Sequence, residues 1–167
     1  FVALLAEKTR KMRHGIDTDF ELEMGAMTTQ NQLKVVERHV QDALDKGANI
    51  AAQSTAKGPT PGYFYPATLL TNVTDDMLTM KEETFGPVMA VVPFDTEEEA
   101  IRKANDSDLG LTSSVWTRDL AKGKAISSRL ETGVTAINDH LYTHGLSETP
   151  WGGWKLSGIG RTHGAHG

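Results

Sequence analysis

Three short apolar runs separated by two amphipathic runs constrain the fold of residues 88–138 more than any other feature. "VMAVVPF" (88–94), "LTSSVWT" (111–117) and "VTAIN" (134–138) have the length and the β-branched content of strands. The first is nearly continuous in apolar residues, which is typical of a strand covered on both faces. An order of strand, helix, strand, helix, strand predicts crossover connections and parallel pairing.

Helices are predicted between these strands and before them. Thr96, followed by Glu99 three residues later, forms a capping box that starts one helix. The next helix is predicted over 118–133, capped by Asp119 and ended by Gly133. Upstream, a helix is predicted over 1–13, and the clearest one lies in "TTQNQLKVVERHVQDALDKG", with Gly47 as its stop. Its apolar stripe comprises Leu33, Val36, Val40 and Leu44.

The fold class predicted from this order is α/β, a partly parallel sheet of five strands flanked by four or five helices. Residues 48–53 and 63–73 supply the remaining strand candidates. The 167 residues are long enough for one domain with one core. Residues 139–167 are rich in glycine and have no helical or strand period, so we interpret them as a long functional loop.

Composition excludes several functions. The net charge of −5 and the pI near 5.7 argue against a nucleic-acid partner, because the field of the protein would repel phosphates. No apolar run approaches the roughly 20 residues that cross a bilayer, so no membrane partner is expected and the location is predicted to be cytoplasmic. The chain starts with Phe1 inside an apparent helix, from which we expect a piece of a longer protein.

Cysteine and histidine usage limits the chemistry. There is no cysteine, so no disulfide, thiolate metal site or cysteine nucleophile exists within these residues. The histidine pairs 140/144 and 163/166 lack a helix and a third ligand. We therefore predict no metal site and interpret the loop histidines as solvated.

Two stretches are candidates for binding. In "KEETFGPV" (81–88) a carboxylate stands just before a buried strand, where it requires a partner such as a pair of sugar hydroxyls, or else is exposed and pairs with Lys81. In "PWGGWKLSGIGR" (150–161) the glycines allow close backbone approach to a ligand, or simply tight packing of the loop. Residue types and spacing alone leave both pairs of alternatives open.

Together these stretches resemble the NAD(P)-dependent aldehyde dehydrogenase superfamily, in the C-terminal part of its catalytic domain. The similarity runs from about residue 20 to residue 164 and includes "GYFYPATLLTNVTDDMLTMKEETFGPVMAVVPF", "GVTAIND" and "PWGGWKLSGIGR". On this resemblance residues 1–167 form a single partial catalytic domain. Residues 139–167 then form its substrate-tunnel and C-terminal loop region.

The resemblance implies a cofactor site for NAD or NADP. Glu83 would hold the ribose hydroxyls of the nicotinamide half, and Phe85 would lie near the nicotinamide ring. Gln32 stands where the family has residues near the adenine-side ribose, although it also fits a plain helix-surface position. The lysine that the family often has three places further on is Val35 here.

The resemblance also implies an aldehyde substrate and a homo-oligomer. Tyr142, His144 and Trp151 are the candidates to shape the substrate pocket. The family's reaction uses a cysteine thiolate, a glutamate base and an asparagine amide, and none of these matches a position in the chain. No catalytic residue is therefore assigned, and the chain by itself is predicted to be inactive. Open strand edges predict that it self-associates.

An alternative from another functional class is a stand-alone, non-catalytic module that self-associates or pairs with a homologous enzyme. The two hypotheses differ in the mass of the protein in its native source. A species near 18.2 kDa favours the module, and a species about three times larger favours the dehydrogenase.

Overall fold

The computed structural model describes residues 1–57, 61–140 and 145–165, and the chain divides into two compact units, 1–93 and 94–167. The first unit contains three helices: α1 (Val2–Lys11), α2 (Gln30–Asp45) and α3 (Leu78–Lys81). Its strands are β1 (Arg13–His14), β2 (Asn49–Gln53), β3 (Thr55–Ala56), β4 (Thr68–Thr71) and β5 (Val88–Ala90).

A three-stranded sheet forms the centre of the first unit. Strand β4 pairs antiparallel with β2 and parallel with β5, and a separate two-residue parallel ladder joins β1 to β3. Successive side chains of a strand point to opposite faces. Leu70 accordingly packs with Val40 and Ala43 of α2, whereas Leu69 packs with Ala6 of α1. The sheet therefore lies between two helices, which confirms the predicted α/β class.

The position of the most buried strand differs from the prediction. We expected residues 88–94 to be covered on both faces, but β5 ends at Ala90 and its residues are only partly buried. Strand β4 is the buried one, because it lies between β2 and β5 while β5 is at the edge. The Val91 N–H still donates to Leu70 O at 3.0 Å. Pro93 has no N–H with which to continue the ladder.

Helix α2 matches its prediction closely. The Thr29 hydroxyl accepts a hydrogen bond from the Gln32 N–H at 3.2 Å and caps the N-terminus. Gly47 has a φ of +95° and lies just beyond the C-terminus, as expected for a helix stop. Val36 and Val40 of the apolar stripe are buried.

The second unit contains α4 (Glu97–Asn105) and α5 (Leu120–Ser127), with strands β6 (Leu109–Gly110), β7 (Thr112–Val115), β8 (Val134–Ile137) and β9 (Trp154–Lys155). Strands β7 and β8 are parallel and are connected through α5, which confirms the predicted crossover. Strands β6 and β9 pair antiparallel.

Gly133 has a role other than the predicted one. Helix α5 starts after its cap Asp119 as predicted, but it ends at Ser127 rather than at Gly133. A Cβ atom on Gly133 would lie 1.7 Å from Gly152 O. Residue 133 is therefore glycine because two backbone segments meet there, which the local sequence does not reveal.

The prediction of one five-stranded sheet differs from the structure. Among the described residues the strands form one three-stranded sheet and three two-stranded sheets. Strand β5 pairs with β4 in the three-stranded sheet, whereas β7 and β8 form a two-stranded sheet of their own. Order along the chain did not determine which strands became neighbours. No helix in residues 1–57, 61–140 or 145–165 is long and apolar enough to cross a membrane.

Candidate functional site

The segment 82–87 links α3 to β5, and its position is set from α2. An Asp42 carboxylate oxygen accepts a hydrogen bond from the Leu78 N–H at 2.8 Å, at the start of α3. This bond, together with a hydrogen bond from Lys46, lowers the pKa of Asp42 below its ordinary value. Helix α3 is thereby fixed to α2 immediately before the candidate segment begins.

Two side chains of the segment are tied to α2 through one histidine. Within α2, the side chain of His39 has no exposed surface. His39 Nδ1 lies 3.0 Å from Thr84 Oγ1, and His39 Nε2 lies 3.2 Å from Glu82 Oε2. The Arg38 guanidinium also donates to Glu82 Oε2. Residues 82 and 84 are thus both directed toward the helix.

The backbone of the segment is fixed by two further contacts. Gln32 Nε2 donates to Thr84 O at 2.7 Å and to Phe85 O at 3.2 Å. Gly86 lies so close to α2 that a Cβ atom there would be 2.3 Å from Val36 Cγ2. Gln32, Val36 and His39 are four and then three residues apart, so they share one face of the helix.

The side chains of Glu83 and Phe85, two of the predicted cofactor residues, take no part in these contacts. Within the described part of the chain, Glu83 is exposed and its carboxylate makes no hydrogen bond or ion pair. Phe85 is 76% exposed, and its backbone has a φ of +43°. A left-handed backbone at a non-glycine residue costs on the order of 1–3 kcal/mol and persists only when its surroundings hold it.

A groove of about 360 Å³ opens beside Phe85. Its walls include Gln32 and Tyr65, the turn formed by Gly86 and Pro87, and the segment 24–28. Two of the three predicted cofactor residues, Gln32 and Phe85, line this groove, whereas Glu83 is exposed beside it in the sequence and does not line it. Gln32 differs from the expectation in one respect, because its amide binds the backbone of the candidate segment.

The predicted substrate-pocket residues are described only in part. Tyr142 and His144 lie outside the described residues. Trp151, in the second unit, is partly buried and forms a β-bridge with Thr162, with both N–H to O distances at 2.7 Å. A Cβ on the neighbouring Gly152 would lie 2.6 Å from Gly160 O. The loop around Trp151 is therefore closely packed against its own C-terminal part.

A second cavity, of about 610 Å³, lies within the second unit between α4, α5 and β7. Its walls are largely apolar and include Ile101, Trp116 and Ile126. The charged pair at its rim, Lys122 and Glu97, is satisfied by a 3.0 Å ion pair. Two other polar side chains of its wall also have partners, since the Ser114 hydroxyl donates to Asp139 O and the Thr117 hydroxyl accepts from the Asp119 N–H, and we do not assign a reaction to the cavity.

Of the loop histidines in the predicted pairs, His140 is exposed as expected and His163 is partly buried. Two histidines outside those pairs are buried. His39 is fully buried, and His14 is 5% exposed with its Nδ1 atom 2.9 Å from Ser54 Oγ. His144 and His166 lie outside the described residues. In the part of the chain that the structure describes, no three metal-ligating side chains converge.

Sequence reasoning missed the contacts that hold the segment. His39, Arg38 and Thr84 carried no recognised motif, and their partners are more than 40 residues away along the chain. One signal was available, since His39 lies on the same helix face as Val36 and was adjacent to the predicted apolar stripe. Its buried polar ring required a partner, but the sequence did not specify which one.

The chain belongs to the aldehyde dehydrogenase family, whose pattern matches residues 1–167. It is 40% identical over 168 residues to a putative succinate-semialdehyde dehydrogenase (NADP+) of Mycolicibacterium smegmatis, covering 100% of this chain and 32% of that protein. It is 41% identical over 169 residues to a 4,4'-diapolycopene aldehyde oxidase of Methylomonas sp, covering 100% and 30%. The chain thus spans about a third of the length of these relatives.

Solved structures agree with this assignment. An NAD+ complex of an aldehyde dehydrogenase from Bacillus cereus superposes with a TM-score of 0.89 at 37% identity, covering 99% of this chain and 33% of that one. Betaine aldehyde dehydrogenase from Staphylococcus aureus, in complex with NAD+, superposes with a TM-score of 0.87 at 36% identity, covering 99% and 33%. The predicted resemblance and fold class are both confirmed.

Proposed function

We propose that these residues are part of an NAD(P)-dependent aldehyde dehydrogenase, and that Glu83 and Phe85 hold the nicotinamide half of its dinucleotide. The observation that carries the proposal is the alternation along residues 82–85. The side chains of Glu82 and Thr84 are tied to α2, while those of Glu83 and Phe85 are exposed. A carboxylate and an aromatic ring are thereby presented together from a rigid support.

The donor and acceptor chemistry fits a dinucleotide. An ionised carboxylate accepts hydrogen bonds from two vicinal hydroxyls of a ribose, and the Glu83 carboxylate is available for this. The Phe85 ring supplies an apolar surface next to a groove. Fixing the sugar fixes the ring attached to it, and a bound nicotinamide accepts a hydride from the substrate. Relatives that are named for NADP+ or solved with NAD+ support this reading.

The covalent steps require residues from outside these 167. With no cysteine, the chain has no thiolate that could form a thioester with an aldehyde. We propose that its contribution is to orient the cofactor and, through Trp151 with Tyr142 and His144, to shape the substrate pocket. The names of the relatives differ in their aldehydes, so the proposal extends only to the aldehyde class.

The test is steady-state kinetics of the full-length enzyme that carries these residues. Glu83→Gln removes the charge but keeps the shape, and hydrogen bonds to a charged group contribute about 1.5–3 kcal/mol. We expect KM for NAD(P)+ to rise roughly 10- to 100-fold. The control is Glu98→Gln, which removes a surface carboxylate that pairs with Arg129. An unchanged KM in Glu83→Gln, or no aldehyde-dependent NAD(P)H formation by the wild type, contradicts the proposal.

We also propose a cytoplasmic location and a homo-oligomer for the whole protein. The exposed apolar side chains of Trp154, Leu156 and Ile159 support association. Size-exclusion chromatography of the 167-residue chain should give a species larger than 18.2 kDa. A monomer at high concentration counts against self-association.

A further inference from the structure

We propose that His39 is a positioning residue for cofactor binding: it holds Thr84 and Glu82 and so sets the direction of Glu83 and Phe85. This inference rests on the proposed function above. It assigns a role in the site to a side chain that is fully buried and that no reacting group touches. Three features of the His39 ring and its neighbours support this role.

The first feature is that both ring nitrogens are used whichever one carries the proton. With the proton on Nε2, the ring donates to Glu82 and accepts from the Thr84 hydroxyl. With the proton on Nδ1, the ring donates to Thr84 Oγ1 and accepts from Arg38 Nη2, which lies 3.2 Å from Nε2. The contact to Thr84 is therefore kept in both tautomers.

The second feature is geometric. In an extended segment, alternate side chains point to opposite sides. The backbone of Glu82 is extended, with a φ of −116° and a ψ of 151°, so holding residues 82 and 84 against α2 directs residue 83 away from the helix. Two anchors two residues apart fix a direction, whereas a single anchor would leave the segment free to rotate about the held residue.

The third feature is the strained backbone at Phe85, which has a φ of +43°. Such a conformation relaxes unless the neighbouring contacts hold it. The Gln32 amide donates to Thr84 O and Phe85 O, the carbonyl oxygens before and after the Phe85 α-carbon. His39 holds the side chain of Thr84. Loss of the His39 contact should let the Phe85 backbone relax and turn the ring away from its present direction.

The charged groups near the His39 ring do not explain why a histidine is needed at this position. Arg38 and Glu82 both lie within hydrogen-bond distance of Nε2, and Asp42 is close enough for the ring to influence its carboxylate. Arg38 and Glu82 already pair with each other, and Asp42 already pairs with Lys46. The histidine is therefore not needed to neutralise a carboxylate, and its specific contribution is the bond to Thr84.

The experiment compares Thr84→Val with Thr84→Ser in the full-length enzyme. Valine keeps the branched shape and loses the hydroxyl, while serine keeps the hydroxyl. Because one hydrogen bond contributes about 1 kcal/mol, we expect Thr84→Val to raise KM for NAD(P)+ roughly 5-fold, with KM for the aldehyde unchanged. Thr84→Ser should stay near the wild type. His39→Gln should reproduce the effect of Thr84→Val, because a glutamine amide does not span both partners.

Hydrogen exchange provides a readout that does not depend on activity. In Thr84→Val and His39→Gln, the amides of residues 83–86 should exchange roughly 5-fold faster, while those of β4 should not change. Arg129→Gln, which removes a surface ion pair in the second unit, is the control for general destabilisation.

Unchanged exchange and unchanged KM in both variants overturn the inference, as does a uniform loss of all kinetic parameters together with faster exchange in β4. If the wild-type enzyme shows no NAD(P)-dependent oxidation, the proposed function fails. The exchange comparison still decides whether His39 holds the segment.

Discussion

The α-carbon of Gly86 faces Val36 at a distance that leaves no room for a side chain: a Cβ there would lie 2.3 Å from Val36 Cγ2. Val36 is fully buried and β-branched, so it cannot rotate away at low cost. The Gly-Pro turn after Phe85 is therefore fixed directly by helix packing. A change in the packing of α2 at Val36 should therefore also change the direction of the candidate cofactor segment.

Replacing this glycine should affect stability and cofactor binding together. We expect Gly86→Ala to cost about 1–3 kcal/mol of unfolding free energy, as overpacking does, and to raise KM for NAD(P)+ in the full-length enzyme. The measurements are urea unfolding and steady-state kinetics. In a Val36→Ala background the cost of Gly86→Ala should be smaller. Gly145→Ala is the matched control, because no atom of residues 1–57, 61–140 or 145–165 lies within 4 Å of its added Cβ, and it should be nearly neutral.

Asn138 should tolerate glycine better than alanine. Its amide accepts from the Thr117 N–H and donates to Thr117 O, both at 2.8 Å, and its backbone φ is +58°. Alanine loses both bonds and keeps the unfavourable conformation, while glycine adopts that conformation freely. We expect a loss of about 2 kcal/mol for Asn138→Ala and about 1 kcal/mol for Asn138→Gly in urea unfolding. Equal losses would show that the left-handed backbone contributes nothing.

The cap of α4 offers a local test. The Thr96 hydroxyl accepts from the Glu99 N–H at 3.2 Å, and Glu99 Oε2 accepts from the Asp95 N–H at 3.0 Å. Thr96→Ala should lower the unfolding free energy by about 1 kcal/mol, and Thr96→Ser should lower it little because the acceptor remains. Thermal or urea unfolding measures both variants, and equal losses of unfolding free energy in Thr96→Ser and Thr96→Ala would contradict the prediction.

Acid should weaken the first unit through Glu23. Hydrogen bonds from the Arg13 side chain, followed by one from the Arg13 backbone N–H, lower the pKa of Glu23 from its ordinary 4.5 to about 2. As the pH falls, the Glu23 carboxylate is therefore protonated at a higher pH in the unfolded state than in the folded state. The stabilisation is fully present above about pH 4.5 and is lost as the pH falls toward about 2.

The check is urea unfolding at several pH values between about 6 and about 3. Glu23→Gln has no proton to gain, so its unfolding free energy should fall less steeply with acid than that of the wild type. Arg13→Gln should flatten the acid dependence in the same direction, since it removes the partner. Parallel curves for the wild type and Glu23→Gln would rule out this carboxylate as a source of acid sensitivity.

Predictions of helix caps were the most reliable, because each cap rests on interactions within a few residues. The predicted caps at Thr96 and Asp119 each accept a hydrogen bond from an N–H three residues further on, and the predicted stop Gly47 has a left-handed backbone. The α/β class and the family were also predicted. Gly133 was misread because its close neighbour, Gly152, comes from a distant part of the chain.

By itself, then, the sequence determined four of the five described helices, the strands of three or more residues and the α/β class, while the family resemblance supplied Glu83 and Phe85 as candidates. Only the tertiary structure decided which strands pair and which side chains hold those two residues in place. Strand pairing and the His39–Thr84 contact join positions far apart along the chain. A buried polar side chain needs a hydrogen-bond partner, but only the packed fold brings a particular partner within hydrogen-bond distance.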